Sequence, residues 1–191
     1  MNKDISEIIS DIRKAIRPLE NSQKPILIAI DGRCSAGKTT LAAGLQKELG
    51  CCVIHMDDFF LQPQQRTPER YREPGGNVDY ERFLTEVMEP LVKRESFTYH
   101  PYDCKRQAFS EAIQVESCSI TIIEGSYSCH PSLWDFYTLR IFMDIGKVDQ
   151  RRRIMQRNGE AAWSVFQEKW IPLEEIYFKA YGIKDRCDLC F

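Results

Sequence analysis

Pro25-Ile26-Leu27-Ile28-Ala29-Ile30-Asp31-Gly32-Arg33-Cys34-Ser35-Ala36-Gly37-Lys38-Thr39-Thr40-Leu41-Ala42 decides how the rest of the chain is read. Ile26 to Ile30 form a continuous apolar run, the mark of a parallel strand buried on both faces. Gly32 to Thr39 fit G-x-x-x-x-G-K-[ST], a loop that cradles phosphate. Leu41, Leu45 and Leu49 then recur every four residues, and Gly50 suits a helix C-terminus. Strand, loop and helix therefore follow in the order such a loop requires. Successive backbone N–H groups of Gly32, Arg33, Cys34, Ser35, Ala36, Gly37, Lys38, Thr39 and Thr40 would form an anion-binding concavity. The two glycines allow the backbone angles and a close approach to phosphate. The helix start aims its positive dipole end at the same phosphates. Lys38 would reach the β- and γ-phosphates, and the Thr39 hydroxyl would bind Mg²⁺.

Further along, Cys51 to Met56 make a second apolar run that ends in Asp57-Asp58-Phe59-Phe60. In open α/β sheets, ligands sit outside the carboxyl ends of the strands. Asp57 therefore belongs on the same edge as the phosphate loop. Ser119 to Ile123 form a third strand, stopping at Glu124-Gly125, and Leu139 to Ile145 a fourth. Alternating strands and helices predict an α/β, doubly wound, mainly parallel sheet in a single domain over residues 1–191.

The connecting segments are more varied. Ile5, Ile8, Ile9, Ile12 and Ile16 fall on one face of an N-terminal amphipathic helix within residues 1–20, which Pro18 ends. Leu61 to Asn77 hold Pro63, Pro68, Pro74, Gly75 and Gly76, which predicts a long irregular loop. Its arginines, Arg66, Arg70 and Arg72, are candidates for holding an anionic ligand. Asp79 to Arg94 show helical spacing up to an end blurred by Pro90, and Ser96 to Val115 read as a small β-flap around a polar turn. Val148 to Arg157 start a basic helix carrying Arg151, Arg152, Arg153 and Arg157. Trp163 to Tyr181 read as helix interrupted at Pro172, and Cys187 to Phe191 as a last short strand.

The bulk numbers narrow the function classes. Among 191 residues the net charge is −2, which gives no electrostatic case for nucleic acid or an anionic membrane. No apolar run has the length of a transmembrane helix, and Met1 to Glu7 lack a signal-peptide core. A cytoplasmic protein is expected. Its eight cysteines are expected to be reduced and mostly buried, because Cys187-Asp188-Leu189-Cys190 has no second ligand pair for zinc. Cys34, inside the loop, offers a site for oxidation.

The ordered set of motifs resembles the uridine kinases, a group that also includes nicotinamide riboside kinase, pantothenate kinase and phosphoribulokinase. Gly32 to Thr40, Asp57-Asp58-Phe59-Phe60, Asn77-Val78-Asp79, Tyr102-Asp103, Ile122-Ile123-Glu124-Gly125 and the Arg151-rich segment carry the resemblance across about residues 25 to 160. It implies a P-loop NTPase fold with a flap and an Arg-bearing lid over residues 150–162, and an enzyme using ATP and Mg²⁺. It implies Asp57 as the base for a substrate hydroxyl and Glu124 as a Mg²⁺-holding acid beside Thr39. Phe59, Asp79 and Tyr102 are implied to contact the substrate, and Arg152 and Arg157 to join Lys38 in catalysis. The expected acceptor is a small metabolite, a nucleoside 5′-hydroxyl first of all. A histidine that uridine kinases carry beyond this tyrosine is replaced here by Lys105-Arg106-Gln107. Another small alcohol, such as nicotinamide riboside, pantothenate or a sugar phosphate, and a nucleotide-dependent regulatory ATPase are the competing expectations.

Overall fold

Five parallel strands form the central sheet. The computed structural model describes residues 3–19 and 24–191. Helix α1 (Ile5–Ile16) leads through residues outside that description to β1 (Ile26–Gly32), α2 (Lys38–Leu49) and β2 (Cys52–His55). Short helices follow, α3 (Pro68–Arg72), α4 (Tyr80–Phe83) and α5 (Glu89–Lys93). The flap comprises β3 (Phe97–Tyr99), β4 (Tyr102–Asp103), β5 (Ala108–Phe109) and β6 (Ile113–Val115). The chain then returns to the sheet with β7 (Ile120–Glu124) and β8 (Leu139–Met143). It ends with α6 (Lys147–Asn158), α7 (Glu160–Val165), α8 (Ile171–Tyr181), α9 (Ile183–Arg186) and β9 (Leu189–Cys190). The sheet order is β2-β7-β1-β8-β9.

All seven residues of β1 are buried, because it lies mid-sheet with helices on both faces. Strand alternation divides its side chains between two cores. Ile26, Ile28 and Ile30 pack with Ile8, Ile12 and Ile16 of α1 and Leu41 and Leu45 of α2. Leu27 and Ala29 face Phe83, Val87, Tyr177 and Phe178 on the other side. Full burial of a side chain such as Ile12 stabilises the fold by about 1.5–3 kcal/mol. The two helices on the first face cross closely, since a Cβ at Gly44 would lie 2.7 Å from Ile9 Cδ1.

Three expectations need correction. Helix continues through Pro90 and Pro172 because a π-turn precedes each, over Leu84–Met88 and Phe166–Trp170. A proline ring clashes with the carbonyl four residues earlier. Those carbonyls, of Glu86 and Glu168, lie inside the widened turns. Glu89 and Ile171 instead donate five residues back, to Leu84 and Phe166. Residues 61–77 are more ordered than their composition predicts, with a 3₁₀ turn at Pro63–Gln65, and with α3, whose Arg70 donates to the Gly76 and Val78 carbonyls. The cysteines are not all reduced: Cys52 and Cys118 form a disulfide at the edge of the sheet. Six others are free, and among the described residues no cluster of His, Cys, Asp and Glu gathers as a metal site. No described helix is long and apolar enough to cross a membrane.

Candidate active site

Register brings the acids to one edge. Ile30 on β1 pairs with Glu124 on β7, and Glu124 pairs in turn with His55 on β2. The chain leaves β1 as the phosphate loop, leaves β2 as the Met56–Phe59 turn and leaves β7 at Gly125. A cavity of about 640 Å³ opens there, lined among others by Ser35, Lys38, Thr39, Asp57, Glu124 and Arg157.

The phosphate loop is held from behind. Gly32 has φ 128°, and a Cβ there would lie 2.0 Å from the Met143 carbonyl oxygen. Its glycine is thus required by the adjoining strand β8, a reason the motif alone does not reveal. Arg33 points away from the cavity into ion pairs with Asp144 and Glu175. The Glu174 carboxylate, 4% exposed, accepts the Cys34 N–H at 3.0 Å and the Ser126 hydroxyl at 2.5 Å. Burial pushes Glu174 above the usual carboxylate range. Burial and the neighbouring Glu174 also push the Cys34 thiol up to about 12. A thiol held in its protonated form is a weaker nucleophile than a thiolate.

Lys38 is 8% exposed and folds back on its own loop. Its ammonium donates to Gly32 O at 2.6 Å, Arg33 O at 3.0 Å and Ser126 Oγ at 3.3 Å. The Thr39 hydroxyl donates to Glu124 Oε1 at 3.1 Å, and His55 Nδ1 lies 2.6 Å from the same oxygen. Ser35 Oγ is buried with no hydrogen-bond partner. Asp57 opens toward the cavity, yet desolvation within the concave site raises its carboxyl, Lys38 acting against that shift.

Asp31 is a residue the motif reading missed. Fully buried, its carboxylate accepts from the N–H groups of Gly32, Tyr127 and Cys129 and from the Tyr177 hydroxyl. Burial raises its pKa while these donors oppose the shift. It fixes the segment after β7, including Ser126, to the loop. A lone acid inside an apolar strand was the available signal.

Several sequence assignments are redistributed. Phe59 is fully buried, edge-on to Phe83 at 4.8 Å, and it is Phe60 that lines the cavity. Asp79 caps α4, accepting from Arg82 N and Gln65 Nε2, and does not line the cavity. Tyr102 packs against Phe109 with its hydroxyl buried, also off the cavity wall. Arg152 pairs with Asp149 at 2.6 Å on the solvent face. Arg153, one position on, lines the cavity and donates to Ser35 O at 3.2 Å and Ala36 O at 3.4 Å. Arg157 lines the cavity as expected. Tyr71, Lys169 and Trp170 complete the far wall and had no motif to mark them.

A parallel sheet with this loop between β1 and α2, and carboxylates at the ends of β7 beside it and β2 beyond, defines a P-loop nucleotide-binding protein. No protein-family model matches the chain. It is 31% identical to human nicotinamide riboside kinase 2 over 145 residues, 70% of this chain and 58% of that one. It therefore spans less than two thirds of that relative. To the mouse nicotinamide riboside kinase 2 it is 31% identical over 142 residues, 69% of this chain and 68% of the relative. A uridine kinase of Alkaliphilus metalliredigens is 26% identical over 160 residues, 76% of each chain. A solved structure titled "Possible Uridine Kinase", from Bacillus stearothermophilus, shares the fold with a TM-score of 0.77 at 20% identity, covering 99% of this chain and 100% of that one. The chain belongs to the family of P-loop small-molecule kinases that includes nicotinamide riboside kinase and uridine kinase.

Proposed function

We propose that the protein transfers the γ-phosphoryl group of ATP to a hydroxyl of a small metabolite. The observation that carries this reading is that Lys38 and Asp57 open onto one cavity, from the ends of β1 and β2, the strands on either side of β7. A hydroxyl oxygen of the acceptor forms the new bond to the γ-phosphorus. The bond to the β,γ-bridging oxygen breaks, leaving ADP, and Asp57 takes the hydroxyl proton. A carboxyl raised by desolvation is a better base than an exposed aspartate. Lys38 changes partners from loop carbonyls to phosphate oxygens. Arg153 and Arg157 place positive charge over the phosphates and exclude water, the competing acceptor.

A nucleotide in the loop is supported by the Ser35 hydroxyl, which is buried there without a hydrogen-bond partner. The Thr39 hydroxyl and Glu124 carboxylate are hard oxygen donors suited to Mg²⁺, which when bound neutralises phosphate charge.

The names of the relatives place nucleosides among the acceptors to be tested, and the Phe60 ring on the wall offers an aromatic surface. Asp79 and Tyr102 give a nucleoside acceptor no support. Mg²⁺-dependent ADP formation, measured with and without uridine, cytidine, nicotinamide riboside, pantothenate and sugar phosphates, tests the proposal. Acceptor-dependent ADP formation is expected. Slow hydrolysis indifferent to every alcohol would point to a regulatory ATPase instead.

A further inference from the structure

Arg66, Arg70 and Arg72 are equivalent in the sequence, but the structure gives them different surroundings. Arg70 is neutralised by Glu81 at 2.6 Å, with Glu73 at 3.4 Å. Arg72 sits on Glu69 at 3.3 Å in solvent. Arg66 is half-buried, lines the cavity and makes no ion pair among the described residues. Its Nε donates to Leu61 O at 3.0 Å and its Nη2 to Cys104 Sγ at 3.6 Å. Both partners are neutral. They aim the guanidinium without cancelling its charge, and a partly desolvated charge is unfavourable until an opposite charge meets it.

A second cation faces the same space from another element. Lys169, on the π-turn before α8, holds its ammonium 4.6 Å from the Tyr71 ring centroid and 4.5 Å from that of Trp170. It too has no carboxylate partner among the described residues. Aromatic faces attract a cation and leave its charge intact.

Neither Arg66 nor Lys169 touches the phosphate loop in the contacts made by the described residues. The phosphate end has its own cations in Lys38, Arg153 and Arg157. Arg66 is anchored to the chain leaving Asp57-Asp58-Phe59-Phe60 and to the flap. Burial pushes the Cys104 thiol up, Arg66 pulls it down and Asp57 pushes it up, so the three share one neighbourhood. Of the acids lining the cavity, Glu124 and Glu174 touch Thr39 and the phosphate loop, leaving Asp57 as the acid on the Arg66 side among the described residues. The pair that would have read a neutral diol, Asp79 and Tyr102, is turned inward.

We propose that the acceptor alcohol carries its own anionic group, a carboxylate or a phosphate, which Arg66 binds and Lys169 supports. This inference rests on the kinase reading of the same cavity. The planar guanidinium matches either oxyanion through two parallel hydrogen bonds, which a neutral nucleoside cannot offer.

The test uses the purified full chain with γ-labelled ATP and Mg²⁺. A bacterial small-molecule extract, stripped of nucleotides, is divided on an anion exchanger into retained and unretained fractions, and transfer of label to new products is followed. Label is expected from the retained fraction. Phosphatase treatment of that fraction, followed by heat inactivation, separates the sources: loss of acceptor identifies a phosphate and survival identifies a carboxylate. With the active acceptor, Arg66→Met should raise its KM about tenfold or more while the KM for ATP stays within about twofold, and Arg66→Lys should fall between. Label from the unretained fraction alone, or turnover on uridine or nicotinamide riboside with Arg66→Met unimpaired, would leave the kinase reading standing and overturn this inference. ATP binding with no labelled product from either fraction would overturn both.

Discussion

Glu174 and Cys34 are 140 residues apart in sequence, yet the Glu174 carboxylate accepts the Cys34 N–H at 3.0 Å. Helix α8 thereby grips the phosphate loop. Burial raises the Glu174 pKa, so the folded state takes its proton more readily than the unfolded chain does. Stability from this group is fully present below the unfolded pKa, about 4.3, and is lost as pH rises through the folded value. Glu174→Gln can still accept the Cys34 N–H and has no charge to bury. Its stability relative to the parent should rise between pH 4 and pH 8 in urea titrations. A difference that stays flat across that range would show that Glu174 is not perturbed in the folded state.

Lys38→Ala should reduce turnover by at least about a hundredfold, because it removes the charge facing the phosphates. The variant also leaves the Gly32 and Arg33 carbonyls without their ammonium donor. A stability loss of about 1–3 kcal/mol should accompany the loss of turnover. Steady-state kinetics and urea midpoints measure the two effects. Near-normal turnover would remove the loop from the chemistry.

The parts of this site that could be read from sequence are those set by local pattern. Gly32 to Thr39 and the strand before them were legible because the motif and the buried strand are each contiguous. Asp57 and Glu124 followed from the rule that ligands lie beyond parallel strand ends. Glu174, Lys169 and Trp170 were not legible, because only packing of α8 against the loop brings them there. Phe59 and Phe60 show a finer limit. They are adjacent aromatics at a turn, and nothing local says which one faces the core. Pro172 misled in another way, because a π-turn lets helix continue where the sequence suggests a break, as one also does before Pro90.

Asp57→Asn should lower turnover by about a hundredfold or more, the usual size of a general-base effect, with the KM for ATP changed only a few-fold. Asp58→Asn should do less to turnover. Its carboxylate accepts the Tyr99 hydroxyl at 2.9 Å and so serves the flap. Side-by-side kinetics that found Asp58 the more critical of the two would reverse the roles.

Arg153→Ala should slow turnover about tenfold or more, whereas Arg152→Ala should leave it within about twofold. Arg153 reaches two carbonyls of the phosphate loop, while Arg152 is paired with Asp149 in solvent. Exposed pairs of that kind contribute about 0–1 kcal/mol. Equal loss in both variants would indicate a general effect of helix charge and would remove any special role for Arg153.

Arg70 holds the ordered part of the proline-rich loop. Its guanidinium donates to both Glu81 oxygens at 2.6 Å, to Gly76 O at 2.7 Å and to Val78 O at 3.0 Å, and lies 4.3 Å from the Tyr80 ring centroid. Arg70→Ala strips two backbone carbonyls of their donor and leaves Glu81 unpaired. A loss of about 1–3 kcal/mol is expected. Arg70→Lys should recover only part of it, since an ammonium cannot reproduce the fork. Because Arg70 fastens residues 66–76, limited proteolysis should cut that segment first in the Ala variant. The KM for the acceptor should rise while ATP affinity holds, as the phosphate loop is fastened separately through Arg33 and Glu174. An Arg70→Ala protein as stable as the parent, with the segment no more readily cleaved, would mean that the proline-rich loop keeps its shape without this strap.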